Sequence, residues 1–203
     1  MHSPASPTHA PIILTGPTAF NRGQHSLYDF DWGNESINTL VMEIGGFGEI
    51  YSDSNEVVSV FINGTAQDIS SPVIACASGS VVTWDAVNLV RHAPRIEIAL
   101  VAVDNGFQGL GLSASITLDV VERLYRSANA RDVELRMMEV ASPRARTLWE
   151  HSGFTIIPHT DARSPDMRMR LNPSSLAMLR SRWQPRLRPG YELLHPANHL
   201  QLG

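Results

Sequence analysis

Apolar positions alternate in short runs through the first half of this chain and recur every three to four residues in parts of the second half. Strands are therefore predicted to dominate early and helices to enter late. The clearest run is Ile96 to Ser113, IEIALVAVDNGFQGLGLS. It sets Ile96, Ile98, Leu100 and Ala102 against Glu97, Ala99, Val101 and Val103, with almost nothing polar on either face. That is the pattern of a central strand buried on both sides. Asp104-Asn105-Gly106 breaks it, and the small-residue turn Gln108-Gly109-Leu110-Gly111-Leu112-Ser113 follows. Ile116, Val120, Val121 and Leu124 then repeat at helical spacing, so a helix is expected from Ser113 to about Ser127.

Before this run, Pro11 to Thr15 reads as a strand ended by Gly16-Pro17, and Ile37, Leu40, Val41 and Ile44 read as a helix closed by Gly45-Gly46. Val57 to Ile62 is β-branched and precedes a hairpin-type Asn63-Gly64. Val73 to Ala77 and Val81 to Trp84 are expected to form a hairpin across Ser78-Gly79-Ser80. After the helix, Val133, Leu135, Met137 and Val140 predict a strand, Ser142 to Gly153 a helix, and Phe154 to Ile157 and Met167 to Leu171 two further strands. Ser142 is a suitable N-cap, Pro143 suits the first helical turn, and Gly153 supplies a left-handed stop. The order predicts an α+β fold with a mixed, mostly antiparallel central sheet and helices on both faces. A flexible N-terminus (1–10), a domain (11–171) and a C-terminal extension (172–203) are expected, without an internal repeat.

Composition narrows the classes. At 203 residues with 43% hydrophobic and 18% charged content, the chain is a globular domain with a full core. It has no apolar run long enough to span a bilayer and no secretory-type leader, so a cytoplasmic location is the default expectation. The net charge of −4 argues against a dedicated nucleic-acid binder but permits a local basic patch. All 16 basic residues are arginine, which fits either Arg-rich codon usage or a protein that benefits from offering no lysine amine. Cys76 is alone in VIACAS, which excludes an internal disulfide and favours a buried, inert thiol.

A strand, a glycine turn and a helix start make a phosphate cradle. Unpaired N–H groups and the positive end of the helix dipole face the turn, and glycines let a pyrophosphate come close. The run Gln108-x-x-Gly111-x-Ser113 after Val103 resembles the cofactor loop of the GNAT superfamily of acyl-CoA N-acyltransferases, with Ser113 where Gly or Ala is usual. Ser142 to Phe154 is similar to the next helix of that superfamily, commonly Asn-x-x-Ala-x-x-Leu-Tyr-x-x-x-Gly-Phe. The segment Phe30-Asp31-Trp32-Gly33 resembles the Phe-Asp-Cys-Gly entry of GNAT-fold toxins from toxin–antitoxin pairs.

The resemblance implies acetyl transfer from acetyl-CoA, as co-substrate, to an amine, on a GNAT-like sheet whose two central strands splay apart to admit pantetheine. Val101, Ala102 and Val103 would border pantetheine, Gln108 to Ser113 (Gln108, Gly109, Leu110, Gly111, Leu112, Ser113) would take the pyrophosphate, and Ser142 would touch the cofactor or serve simply as an N-cap. Glu97 stands near where lysine-acetylating members carry a catalytic glutamate; the alternative is a strand-end carboxylate in solvent or an ion pair. Trp149 replaces the tyrosine that often protonates the departing thiolate, and an indole N–H cannot do so. His151 and Tyr125 are substitutes to consider, and His92 and His159 could line an acceptor pocket. His195 and His199 lack a third ligand, so no metal is assigned. Around Trp183 stand Arg180, Arg182, Arg186 and Arg188, either the charged side of a packed helix or a contact for phosphates or an acidic partner. Three functions stay open: an N-acetyltransferase, a toxin acetylating aminoacyl-tRNA, and a catalytically silent CoA- or protein-binding module. The resemblance leaves a homodimer open and gives no reason to expect a membrane partner.

Overall fold

A computed structural model of the chain describes residues 10–19, 57–65, 73–85, 90–158 and 160–195. Eight strands form one sheet: β1 (Ile12–Ala19), β2 (Val57–Asn63), β3 (Val73–Asp85), β4 (Val90–Val103), β5 (Val133–Met137), β6 (Thr155–Ile156), β7 (Met167–Leu171) and β8 (Tyr191–Leu194). Their order is β6-β7-β5-β4-β3-β2-β1-β8. Only the β4–β5 and β1–β8 pairs are parallel, so the sheet is mixed and mostly antiparallel. Three α-helices, α1 (Leu112–Ala128), α2 (Pro143–His151) and α3 (Pro173–Arg182), and a 3-10 turn at Asn105–Phe107 complete the described chain.

The three described α-helices enter one main core on one side of the sheet, and the further helix expected around Ile37 to Ile44 lies outside the described residues. Ile116, Val120, Val121 and Leu124 of α1 enter a core with Ile96, Ile98, Leu135, Met137, Met167 and Leu171, all at most 2% exposed. The opposite face buries a smaller cluster, Val60, Ile62, Val73, Cys76 and Ala102. Farther along the sheet that face carries charge instead: Glu134 pairs with Arg136 and Arg168, and Asp132 with Arg170. The Phe30-Asp31-Trp32-Gly33 segment, His159 and His199 also lie outside the described residues.

Two breaks expected from the pattern are bridged. Residues 73–85 form one long strand rather than a hairpin, because Ser78-Gly79-Ser80 stays paired with β4; Gly79 lies under α1, where a Cβ would come within 2.8 Å of Ile98 and 3.1 Å of Leu124. Gly16-Pro17 does not end β1 either. The strand continues to Ala19 with an irregularity between Thr15 and Thr18, the place for an in-strand proline, which cannot donate to the ladder.

Strand β4 contains an extra residue. Leu100 pairs with Ser78 and Ile98 with Gly79, so Ala99 has no counterpart and forms a β-bulge. The bulge reverses the facing of the strand. Ile96 and Ile98 lie in the main core, Leu100 and Ala102 in the opposite cluster, and Val101 and Val103 return to the main side.

The described part of the C-terminal extension, residues 172–195, packs on the same sheet and core. Asn172 caps α3 through a capping box with Ser175, and Arg180 Nε reaches Glu122 Oε1 of α1 at 2.6 Å. Trp183, 1% exposed, stacks near-parallel on Phe154 at 6.3 Å, meets Trp149 edge-on at 5.2 Å and donates its indole N–H to Ser152 Oγ at 2.8 Å. The chain then runs to β8, which pairs with β1. A buried tryptophan so enclosed should be a principal anchor: Trp183→Ala is expected to lower unfolding free energy by about 3–5 kcal/mol in urea titration.

Candidate functional site

Strands β4 and β5 pair only from Arg95–Glu134 to Ile98–Met137. One more bond, Met138 N–H to the Ile98 carbonyl at 3.0 Å, closes the ladder. Beyond it β4 continues to Val103 without a strand partner on that side, because the bulge at Ala99 turns it away while β5 gives way to the loop before α2. The parted strands open a cavity of about 690 Å³. Its walls are Ile98 to Val101 and Val103 on one side, Met137 to Ser142 on the other, and the glycine turn with the start of α1 at one end.

The turn is held from both sides. Asp104 Oδ1 accepts from Gly106 N–H at 2.8 Å, and Gln108 Nε2 donates to Asn105 Oδ1 at 2.7 Å. Gly109 and Gly111 have φ of 79° and 74°, the left-handed region that suits glycine. Gly111 is the N-cap of α1, and no side chain caps that helix. The first intrahelical bond runs from Ser115 N–H to the Gly111 carbonyl, which leaves the amides of Leu112, Ser113 and Ala114 directed at the cavity end. A helix start in this state has the dipole and the free donors that favour an anion.

Of the residues expected to touch a cofactor, Val101, Val103, Gln108, Gly109, Gly111, Leu112, Ser113 and Ser142 line the cavity. Ala102 and Leu110 do not. The bulge turns Ala102 into the cluster on the far face, and Leu110 is a core residue, each 1% exposed. Ser142 Oγ accepts from Ala145 N–H at 3.3 Å, so it caps α2 and borders the cavity at once. Glu97 is absent from the lining; its Oε1 takes Arg95 Nε at 2.6 Å on the strand face opposite Ile96 and Ile98.

Trp149 lines the cavity and is 3% exposed, packed between Phe154 and Trp183. The substitutes lie elsewhere. The Tyr125 hydroxyl donates to the Arg131 carbonyl beyond the far end of α1, and His151 Nδ1 meets the Thr147 carbonyl on exposed α2. His92 stands on β4, and His195 lies just past β8. Among the described residues no group of three or more His, Cys, Asp or Glu is arranged to hold a metal ion, and no helix is long and apolar enough to cross a membrane.

The cavity also gathers residues that the pattern did not assign to it: Glu139, Arg144, Arg182, Gln184 and Arg186. Arg182 and Arg186 belong to the arginine cluster visible in the sequence, but their neighbours could not be read from it. Glu139 gave no signal. It adopts φ of 46°, uncommon for a non-glycine residue, and its N–H is fixed by Asp166 Oδ1 at 2.9 Å.

No family model matches the chain. Solved structures do. A Tyr-to-Phe variant of the AtaT toxin bound to the C-terminus of the antitoxin AtaR superposes with a TM-score of 0.57 at 15% identity, covering 82% of this chain and 97% of that one. AtaTR bound with AcCoA gives 0.57 at 16% identity, with 83% and 98% covered. The KacTA–DNA complex gives 0.58 at 17% identity, with 83% and 99% covered. The chain has the GNAT fold. The splay that the GNAT resemblance implied is present here at Ile98 and Met137. The glycine turn and the helix resembling the superfamily's second motif border the resulting gap.

Cys76 is not in the cavity lining; it lies on β3 beside Ala102, in the cluster on the opposite face. Burial pushes its thiol from 9.0 up to about 12, against a smaller lowering by a backbone hydrogen bond at Ala102. A proton held more tightly in the folded state contributes stability that is complete below about pH 9 and is lost as pH rises towards 12. Thiol titration should therefore show no labelling of native protein at pH 8 and rapid labelling in denaturant. Cys76→Ala should flatten the alkaline loss of stability between pH 9 and 11.

Proposed function

We propose that the chain transfers an acetyl group from acetyl-CoA to an amine. The observation that carries this reading is the cavity between the parted ends of β4 and β5, closed at one end by the uncapped start of α1. An acyl-pantetheine arm needs a long slot with exposed strand edges, and a pyrophosphate needs unpaired amides; both lie along one path. The neighbour solved with AcCoA supports the same ligand.

In this reading the amides of Leu112 to Ala114 hold the pyrophosphate, and the free edge of β4 near Val101 and Val103 aligns pantetheine as an additional strand would. A main-chain N–H of that edge polarises the thioester carbonyl. The acceptor nitrogen attacks the carbonyl carbon, the new C–N bond forms as the C–S bond breaks, and the ammonium proton passes to a base. Alignment of the two reactants supplies a large share of the acceleration. Glu139 is the carboxylate in the lining among the described residues, and we assign it the base role. Glu97, the base suggested by resemblance, is engaged by Arg95 outside the lining. Trp149 has no proton to give, so the thiolate departs unprotonated and takes its proton from water.

A second reading, a toxin that acetylates an aminoacyl-tRNA amine, is supported by the likeness to AtaT and KacT, the former described as a toxin, and by the short Phe30-Asp31-Trp32-Gly33 resemblance. It uses the same cavity and differs only in the acceptor. A silent module would bind acetyl-CoA and turn over no amine.

Thermal-shift titration tests binding. Acetyl-CoA at a hundred times its Kd should stabilise the native protein by about 2.7 kcal/mol. Ser113→Glu places a negative charge in the first turn of α1, favourable to the helix but repulsive to a phosphate, so Tm without ligand should hold or rise while the acetyl-CoA shift disappears. Equal shifts in both proteins would overturn the reading. Growth arrest on expression, abolished by Ser113→Glu, would favour the toxin. With an identified amine, Glu139→Gln should reduce kcat/KM by about a hundredfold, and Glu97→Gln by less than about threefold.

A further inference from the structure

The tail does more than close the sheet. After Trp183 it runs along the glycine turn, where Arg186 N–H donates to the Leu110 carbonyl at 2.8 Å and Gln184 and Arg186 join the cavity lining. At Gly111 a Cβ would lie 3.1 Å from the Gln184 carbonyl oxygen and the Arg186 nitrogen, and at Gly109 it would lie 2.8 Å from Arg188 Nη2. The two glycines thus admit this strap. The strap is fixed by Trp183 at one end and by β8 at the other.

Its charge is unspent. Among the described residues, Arg95, Arg123, Arg136, Arg168, Arg170 and Arg180 are taken up by carboxylates. Arg144, Arg182, Arg186 and Arg188 have no carboxylate partner there; the first three line the cavity, and Arg186 and Arg188 stand against the glycine turn. Arg182 Nη1 donates only to the His151 carbonyl, at 2.9 Å. Arginines held together without counter-charges form a site for a polyanion, and their forked donors match phosphate oxygens.

We propose that Arg186 and Arg188 of the strap bind the ribose 3′-phosphate of coenzyme A, so that the C-terminal segment selects the phosphorylated nucleotide. This inference rests on the acyl-CoA reading above. Its further step follows from the order of groups along the ligand: thioester, pantetheine, pyrophosphate, then ribose with its 3′-phosphate. The helix start provides for the pyrophosphate. The next anion away from the thioester is the 3′-phosphate, a monoester carrying between one and two charges at neutral pH, and the strap arginines stand beside the turn, Arg186 in the cavity lining and Arg188 against Gly109.

Isothermal titration with coenzyme A, dephospho-coenzyme A and adenosine 3′,5′-bisphosphate distinguishes the outcomes. Wild type should bind coenzyme A at least tenfold more tightly than dephospho-coenzyme A, with a gap that narrows in high salt. Adenosine 3′,5′-bisphosphate should bind and be displaced by coenzyme A. Both side chains are on the exposed strap, and its main-chain bond to Leu110 is independent of them, so Arg186→Gln/Arg188→Gln should keep the wild-type Tm. That double variant should bind coenzyme A as weakly as wild type binds dephospho-coenzyme A, with the latter changed less than twofold. Equal wild-type affinity for the two coenzymes would overturn the strap's role and leave the acyl-CoA reading standing. Absence of binding by either would overturn both.

Discussion

A strand in the middle of a sheet must satisfy hydrogen-bonding groups on both of its edges, and β4 is released from that requirement on one edge beyond Ile98. The release is prepared by one surplus residue. Ala99 breaks the regular pairing with β3, sharpens the local twist and sends the two sides of the strand to opposite faces. Pairing with β3 resumes at Leu100 and continues to Val103, so β4 stays anchored while its other edge is open. The cavity, the approach of the glycine turn to it and the choice between Val101 and Ala102 as a lining residue all descend from this geometry.

The strap places a second demand on the same region. Trp149 stands where a proton-donating tyrosine is usual, and its indole is one of three aromatic rings that tie α2, the loop after it and the tail together. Packing and catalysis ask different things of this position: a hydroxyl pointing at a leaving group, or a large apolar surface against Trp183. The chain has the second. What it gains is a tail anchored against the glycine turn at one end of the cavity.

Much of the fold was legible in the order of residues. β-Branched content marked β2, apolar alternation marked β5, the helical spacing marked α1, and Ser142, Pro143 and Gly153 bounded α2 to within a residue or two. Where the reading stopped short, a long-range contact overruled a local signal. Gly16-Pro17 and Ser78-Gly79-Ser80 look like breaks, yet neighbouring strands pair across both.

What the sequence determined by itself was therefore local: the strand and helix periods, the glycines able to take a left-handed turn, the uncapped helix start, and the excess of arginine around Trp183. These depend on residues within a few positions of one another. The tertiary structure alone decided which edge of β4 is free, that Glu97 meets Arg95 outside the cavity while Glu139 borders it, and that the tail crosses the glycine turn. Each of these depends on how distant segments share space. A bulge changes a strand's facing without changing its composition, and a tail more than 70 residues downstream brings charge to a turn whose own sequence carries none.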